Sequence, residues 1–309
     1  MTLARHLSYR LHGMLYAGRL LTALLATLII GCREKESATS SAMDMAARGE
    51  QAFDDTLSGA RDRNVEAVAL LERAVALNDR DGRSQLLLGM MRMLRFSRGI
   101  IDPNNAGDVS KLEITKAQEA LDMAVFLLPA DRRLLGFRGA ATYLNGVASH
   151  DDLRISQGLT QLHEAVARFP EFNGLAFIEA VAPVVDAKDP LYQEVMQHAG
   201  TRGVAACDPF AMPEVCGNAG KAPHNVEGSL MLFGDVFAKA GDEPQARSYY
   251  ELAQASITGR SNTWRFAPLP AQRLVDLAQR VALYQDNDPN NDPKIIGYGR
   301  DACGICHYK

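Results

Sequence analysis

Four segments of this chain carry a small residue followed seven positions later by alanine: Ala67 and Ala74, Ala117 and Ala124, Gly158 and Ala165, Ala246 and Ala253. Four residues after each first small residue stands a large one, Leu71, Leu121, Leu162 or Tyr250. That spacing puts all three residues on one face of an α-helix, and the small ones let a neighbouring helix come close. In three copies a helix stop follows five residues after the second small residue: Asp79, Pro129 and Pro170. A chain built this way is constrained to be a row of packed helices. Period-two runs of β-branched residues are nearly absent, so no sheet is expected. Helices are expected at 44–58, 65–77, 83–96, 114–128, 132–146, 153–168, 172–186, 190–204, 226–240, 243–257 and 269–284, which makes the fold all-α. Met90, Met91 and Met93 fall on the third of these and read as core packing.

The pattern resembles the second helix of a tetratricopeptide repeat. The last copy carries the motif at the family's spacing. Phe233, Gly234 and Phe237 fall on its first helix, Gly241-Asp242 in the turn, and Ala246, Tyr250 and Ala253 on its second. Earlier copies depart from it. Gly89 precedes Ala117 by twenty-eight residues instead of twelve, with a Gly-, Asn- and Asp-rich insert at 97–110 between the two helices. Ala74, Ala124 and Ala165 are fifty and forty-one apart, against the family's thirty-four. The resemblance implies a helical-hairpin solenoid over 44–258 whose surface docks a protein partner. Residues 259–285 are expected to cap it, with Trp264-Arg265-Phe266 sealing the end or covering the face of a bound group.

Residues 1–31 read as a targeting segment. Arg5, Arg10 and Arg19 stand in a stretch without acids, followed by the apolar run 20–30, too short for a span of about twenty residues. Ile29-Ile30-Gly31-Cys32 resembles a bacterial lipobox, which implies that Cys32 is the lipidated residue. Arg33 follows where an Asp would signal inner-membrane retention, so the outer membrane, facing the periplasm, is expected. Residues 32–43 read as a tether, and the lipid as the sole membrane contact. An uncleaved N-terminal anchor is the other reading. Without the leader's three Arg, 30 basic residues face 37 acidic ones, a balance that argues against nucleic acid as a partner.

Near the end of the chain stands Cys303-Gly304-Ile305-Cys306-His307. C-x-x-C-H is the attachment signature of a c-type haem. Two thiols must add to the two vinyl groups of one porphyrin, and the following imidazole must reach the iron. Cys303 and Cys306 are therefore candidate anchors of one covalent haem c, and His307 its candidate proximal iron ligand. A redox pair, a disulfide or half of a zinc site is the plainer reading of the same cysteines. In a conventional c-type cytochrome the motif precedes the domain that wraps the porphyrin; here the body precedes it, and only Tyr308 and Lys309 follow. Residues 286–309 read as a linker and tail, and Ile295-Ile296-Gly297-Tyr298-Gly299 offers apolar residues and glycines able to fold it back onto the body. Cys207 and Cys216, an even pair in an exported chain, are expected to form a disulfide.

A single haem usually takes a second axial ligand, Met or His. His224, after Pro223 at the mouth of the tightest repeat, is one candidate, with a backbone-bonded residue at a helix start as its plainer reading. Met212 is a weaker one. His163 reads as a helix-face residue and His150 as a cap or turn. The Asp- and Asn-rich run 286–293 lacks the central Gly and closing Glu of an EF-hand and reads as polar linker. No nucleophile elbow, phosphate loop or His-Glu-x-x-His helix occurs, so no enzyme activity is expected. The leading expectation is a monohaem lipoprotein that passes electrons to or from a docked redox protein. The rival is a haem-free interaction or assembly lipoprotein with Cys303–Cys306 as a disulfide or redox pair. A haem-dependent peroxidase or sensor is the third.

Overall fold

The computed structural model describes residues 40–99, 107–202, 224–258, 264–288 and 290–296. Among the described residues the chain is all-α, with eleven helices and no strand. They are α1 (40–57), α2 (Asn64–Leu77), α3 (Gly82–Gly99), α4 (Asp108–Leu127), α5 (Arg133–Ser149) and α6 (Asp152–Arg168). Then come α7 (Pro170–Val181), α8 (Pro190–Arg202), α9 (Asn225–Lys239), α10 (Glu243–Thr258) and α11 (Leu269–Gln285).

Local chemistry sets the boundaries. Between α5 and α6, His150 takes the left-handed conformation (φ 54°) that ends a helix, and the Asp151 carboxylate then accepts from the Arg154 N–H at 3.1 Å to start the next. Gly241, at φ +85°, makes the turn between α9 and α10, and Asp242 caps α10 by accepting from the Gln245 N–H. Pro170 is the first residue of α7, where its missing N–H costs nothing. Two expected boundaries move by five residues or more. Helix α7 stops at Val181, not 186, because Pro183 has no N–H to continue the ladder. Helix α4 starts at Asp108, not 114; Glu113 in its early turns is buried and ion-paired to Arg92 (2.8 Å) and Arg95 (3.0 Å) of α3. Helix α1 begins at residue 40, within the segment read as tether, and buries Ala42.

Helices pack chiefly on their sequence neighbours, the closest partnerships being α5 with α6, α3 with α4, and α9 with α10. The repeated face is what they bury. Ala67, Leu71, Ala117, Leu121, Ala124, Leu162, Ala165, Ala246, Tyr250 and Ala253 are all fully enclosed. Each fully buried Leu among them stabilises the fold by about 1.5–3 kcal/mol. The large residue of each second helix has a matching hollow on the first. A Cβ at Gly49 would lie 2.9 Å from Leu71, at Gly89 2.6 Å from Leu121, at Gly139 3.0 Å from Leu162 Cγ, and at Gly234 2.3 Å from Tyr250. The spacing that looked irregular in sequence is therefore one glycine-to-bulk contact made four times. The insert before α4 lengthens the connection without changing it. Met91 is fully buried, and Met90 and Met93 pack against the core. The core runs on to Ile295 and Ile296, which are 4% and 6% exposed beyond α11.

Candidate functional site

The candidate haem residues Cys303, Cys306 and His307 lie outside the described residues, as do Met212, Cys207, Cys216 and Cys32. What the structure does place is the ground on which the tail stands. Helices α9, α10 and α11 meet there around one buried acid, Asp235, whose exposure is 0%.

Asp235 sits in α9 directly after Gly234, the glycine that admits the Tyr250 ring. Tyr250 of α10 consequently donates its hydroxyl to Asp235 Oδ1 at 2.6 Å. Burial, then the neighbouring carboxylate, push the Tyr250 phenol far above its ordinary pKa, so it remains a donor at every physiological pH. Helix α11 contributes two cations. Arg273 Nε and Arg280 Nη2 each lie 3.1 Å from the same oxygen. Burial works against the Arg280 charge, but Asp235 and its neighbours outweigh it and hold the guanidinium charged. A further donor comes from the tail: the Ile296 backbone N–H reaches Asp235 Oδ2 at 2.8 Å. Arg280 also donates to the Lys294 carbonyl at 3.2 Å, and the Tyr284 hydroxyl donates to the Pro293 carbonyl. Backbone groups of Pro293, Lys294 and Ile296 are thus held by α9 and α11, and Ile295 and Ile296 close over the contact.

His224 is the N-cap residue of α9, so its expected place at the helix start holds, but its side chain makes no cap hydrogen bond. The ring is 6% exposed, lies over Trp264 at 5.7 Å between centroids, and brings Nδ1 to 4.0 Å from Glu227. Trp264 in turn meets Phe266 edge-on at 6.1 Å. The aromatic cluster therefore packs against the start of α9, beside the candidate distal imidazole. His163 is a helix-face residue, half exposed and 2.8 Å from Glu194; His150 is the α5 cap described above. In the run 286–293 Asp286 accepts from the Asp288 N–H and from Asn291, and Asn287 is left-handed (φ 65°), as polar turns require. Among the described residues no group of three or more His, Cys, Asp or Glu is gathered to hold a metal.

The clamp was not read from the sequence, yet its signal was there. Arg273, Leu277, Arg280 and Tyr284 follow at helical spacing, so the two Arg share a face with core residues. Charges on such a face need a buried counter-charge, and Asp235, inside the tightest repeat motif, was available to supply it. A separate hollow of about 230 Å³ lies between α1 and the start of α3, lined by Ala42, Met43, Ala46, Glu50, Asp81 and Arg83. Among the described residues no helix is long and apolar enough to cross a membrane. No family model, curated protein or solved structure matches the chain.

Proposed function

We propose that this is an exported, lipid-anchored protein in which a tetratricopeptide-like solenoid presents one covalent haem c and passes single electrons to or from a docked protein partner. The observation that carries this reading is the Cys303-Gly304-Ile305-Cys306-His307 motif, set seven residues beyond a clamped tail. The haem, once bound, supplies reversible one-electron chemistry. The chain's part is to bind and place it. Addition of the Cys303 and Cys306 thiols across two vinyl groups loses no atoms and needs both sulfurs reduced, so haem attachment and a Cys303–Cys306 disulfide exclude each other. His307 takes the iron from one side.

Reach supports His224 as the candidate for the other side. Seven residues from Ile296 to Cys303 span at most about 25 Å, while His224 precedes Asp235 by eleven residues, about 16 Å along α9. Its imidazole stands beside Trp264 and Phe266, whose faces and edges suit contact with a flat macrocycle. Attachment of lipid at Cys32 would hold the body at the periplasmic face of the outer membrane.

A haem stain on a denaturing gel tests the reading, with the protein expressed behind its own leader in a host equipped for c-type haem attachment. Stain that survives denaturation and vanishes in Cys303→Ala/Cys306→Ala supports it. An unstained but exported protein overturns it and leaves the haem-free interaction lipoprotein, for which the hollow beside α1 is the first surface to probe. With haem present, His224→Ala changes the Soret and charge-transfer bands if the imidazole is the distal ligand and leaves them alone if it is not.

A further inference from the structure

The clamp around Asp235 is more than a structural ion pair, because one of the four groups gathered on it belongs to no helix. Three of the contacts tie α9 to α10 and α11: the Tyr250 hydroxyl, Arg273 and Arg280. These would close the end of the helix row by themselves. A buried carboxylate has room for more, and here the remaining oxygen, Oδ2, receives the Ile296 N–H of the tail. Arg280 divides its guanidinium in the same way, with Nη2 serving Asp235, the Tyr284 hydroxyl and the Lys294 carbonyl. Both partners of the ion pair therefore spend part of their hydrogen-bonding capacity on backbone groups of residues 294–296. Backbone contacts fix the chain whatever side chains follow. Ile295 and Ile296 then exclude water from the charges, which strengthens each of these bonds.

We propose that Asp235 and Arg280 are the positioning residues of the C-terminal tail: they pin its root to the α9–α11 face and so confine the Cys303–His307 segment to that end of the molecule. The pinning stands on the described geometry alone; its consequence for a haem rests on the proposed function. Without the pin, residues 286–309 would act as a linker, and the attachment site would range over a sphere set by the eighteen residues from Gln285 to Cys303. With it, Cys303 stands only seven residues beyond the last clamped residue, Ile296. Since linked groups meet at an effective concentration set by tether length, the pin raises the chance that a haem rests against this face rather than in water. Solvent exposure is one of the factors that set haem potential.

Two full-length variants separate the roles. Asp235→Asn keeps the shape but removes the charge and weakens all four contacts. Arg280→Lys keeps the positive charge beside Asp235 but removes the planar fork that also reaches Lys294, and it leaves the rest of the core intact. Amide exchange at Ile296 and trypsin cleavage after Lys294 are expected to be at least about tenfold faster in both variants than in the parent. Exchange in α3–α6 should stay unchanged in Arg280→Lys. In haem-loaded protein the stain should persist at parent intensity, because the thioethers do not depend on the pin. The midpoint potential should fall, because a released haem meets more water and water favours the more highly charged oxidised form.

Exchange and cleavage no faster than in the parent in either variant would overturn the pin. So would loss of protection throughout α3–α6 in Arg280→Lys, which would make the pair an ordinary core element. A released tail with an unmoved potential would overturn its role in placing the haem. A blank stain on the parent would sink the proposed function instead, and exchange and cleavage would still decide the pin.

Discussion

At the scale of single residues, small side chains decide how closely this chain packs. A Cβ on Gly158 would stand 2.3 Å from the Tyr143 backbone nitrogen and 2.5 Å from its Cα, atoms that cannot swing aside. Gly158→Ala should therefore cost about 3 kcal/mol in a denaturant melt. Gly200 in α8 has its nearest atom at 3.9 Å, so Gly200→Ala should instead gain about 0.5 kcal/mol from helix propensity. A titration prediction belongs here too. Burial of Glu179 on α7 raises its carboxyl from the ordinary 4.5 to about 7. The folded state then keeps a proton that the unfolded chain has released, so this group's favourable contribution is full below the ordinary value and is lost as pH rises toward 7. Glu179→Gln should thus gain stability relative to the parent between about pH 5 and 8, with no gain below about pH 4, as read from melts at matched ionic strength. Residue types of this kind were legible in part. The alanine and leucine positions of the repeat all proved buried, whereas Gly49 and Gly139 looked like any other glycine until their partners were placed.

At the scale of elements, what holds one helix pair to the next is polar as well as apolar. Asn173 in α7 donates from Nδ2 to the Ala165 carbonyl at the end of α6 (2.8 Å) and to the Arg132 carbonyl before α5 (3.1 Å). Three helices are tied by one buried amide. Asn173→Ala should cost about 2 kcal/mol and expose the α6–α7 junction to exchange. A methyl at Gly136 would fall 2.5 Å from Asn173 Oδ1. Gly136→Ala and Asn173→Ala should hence be less than additive when combined, a coupling that a double-mutant cycle measures directly. Arg92 performs a similar task between α2, α3 and α4, reaching Glu72 and Glu113. Helix existence was readable from period and caps throughout, and boundaries were readable at Asp151 and Asp242 but not at Pro183, which ends α7 before the expected 186. The start of α4 was not, because Glu113 looks like a surface residue until Arg92 and Arg95 are brought beside it by packing. Long-range pairing of buried charges leaves no local mark.

At the scale of the whole molecule, a row of helix pairs has two ends, and each must be closed. The C-terminal end is closed by α11, by Trp264 over His224, and by Ile295 and Ile296. The sequence showed that the tail could fold back, but not onto what: the Ile296 N–H and Asp235 are sixty-one residues apart, and one of the two groups is backbone. Deleting residues from Lys294 onward should therefore lower the melting temperature, by about 2–4 °C for each kcal/mol lost in a chain of this size, and should do so with or without haem. The same closure has a temporal side. A polypeptide leaving the ribosome emerges from its N-terminus, so the helix pairs can assemble before residues 294–296 appear. Until those residues arrive, the carboxylate of Asp235 and the fork of Arg280 lack the tail's share of their bonds. The clamp that fixes the finished protein thereby also acts as a clock: its last bonds form only after the helix row that they close.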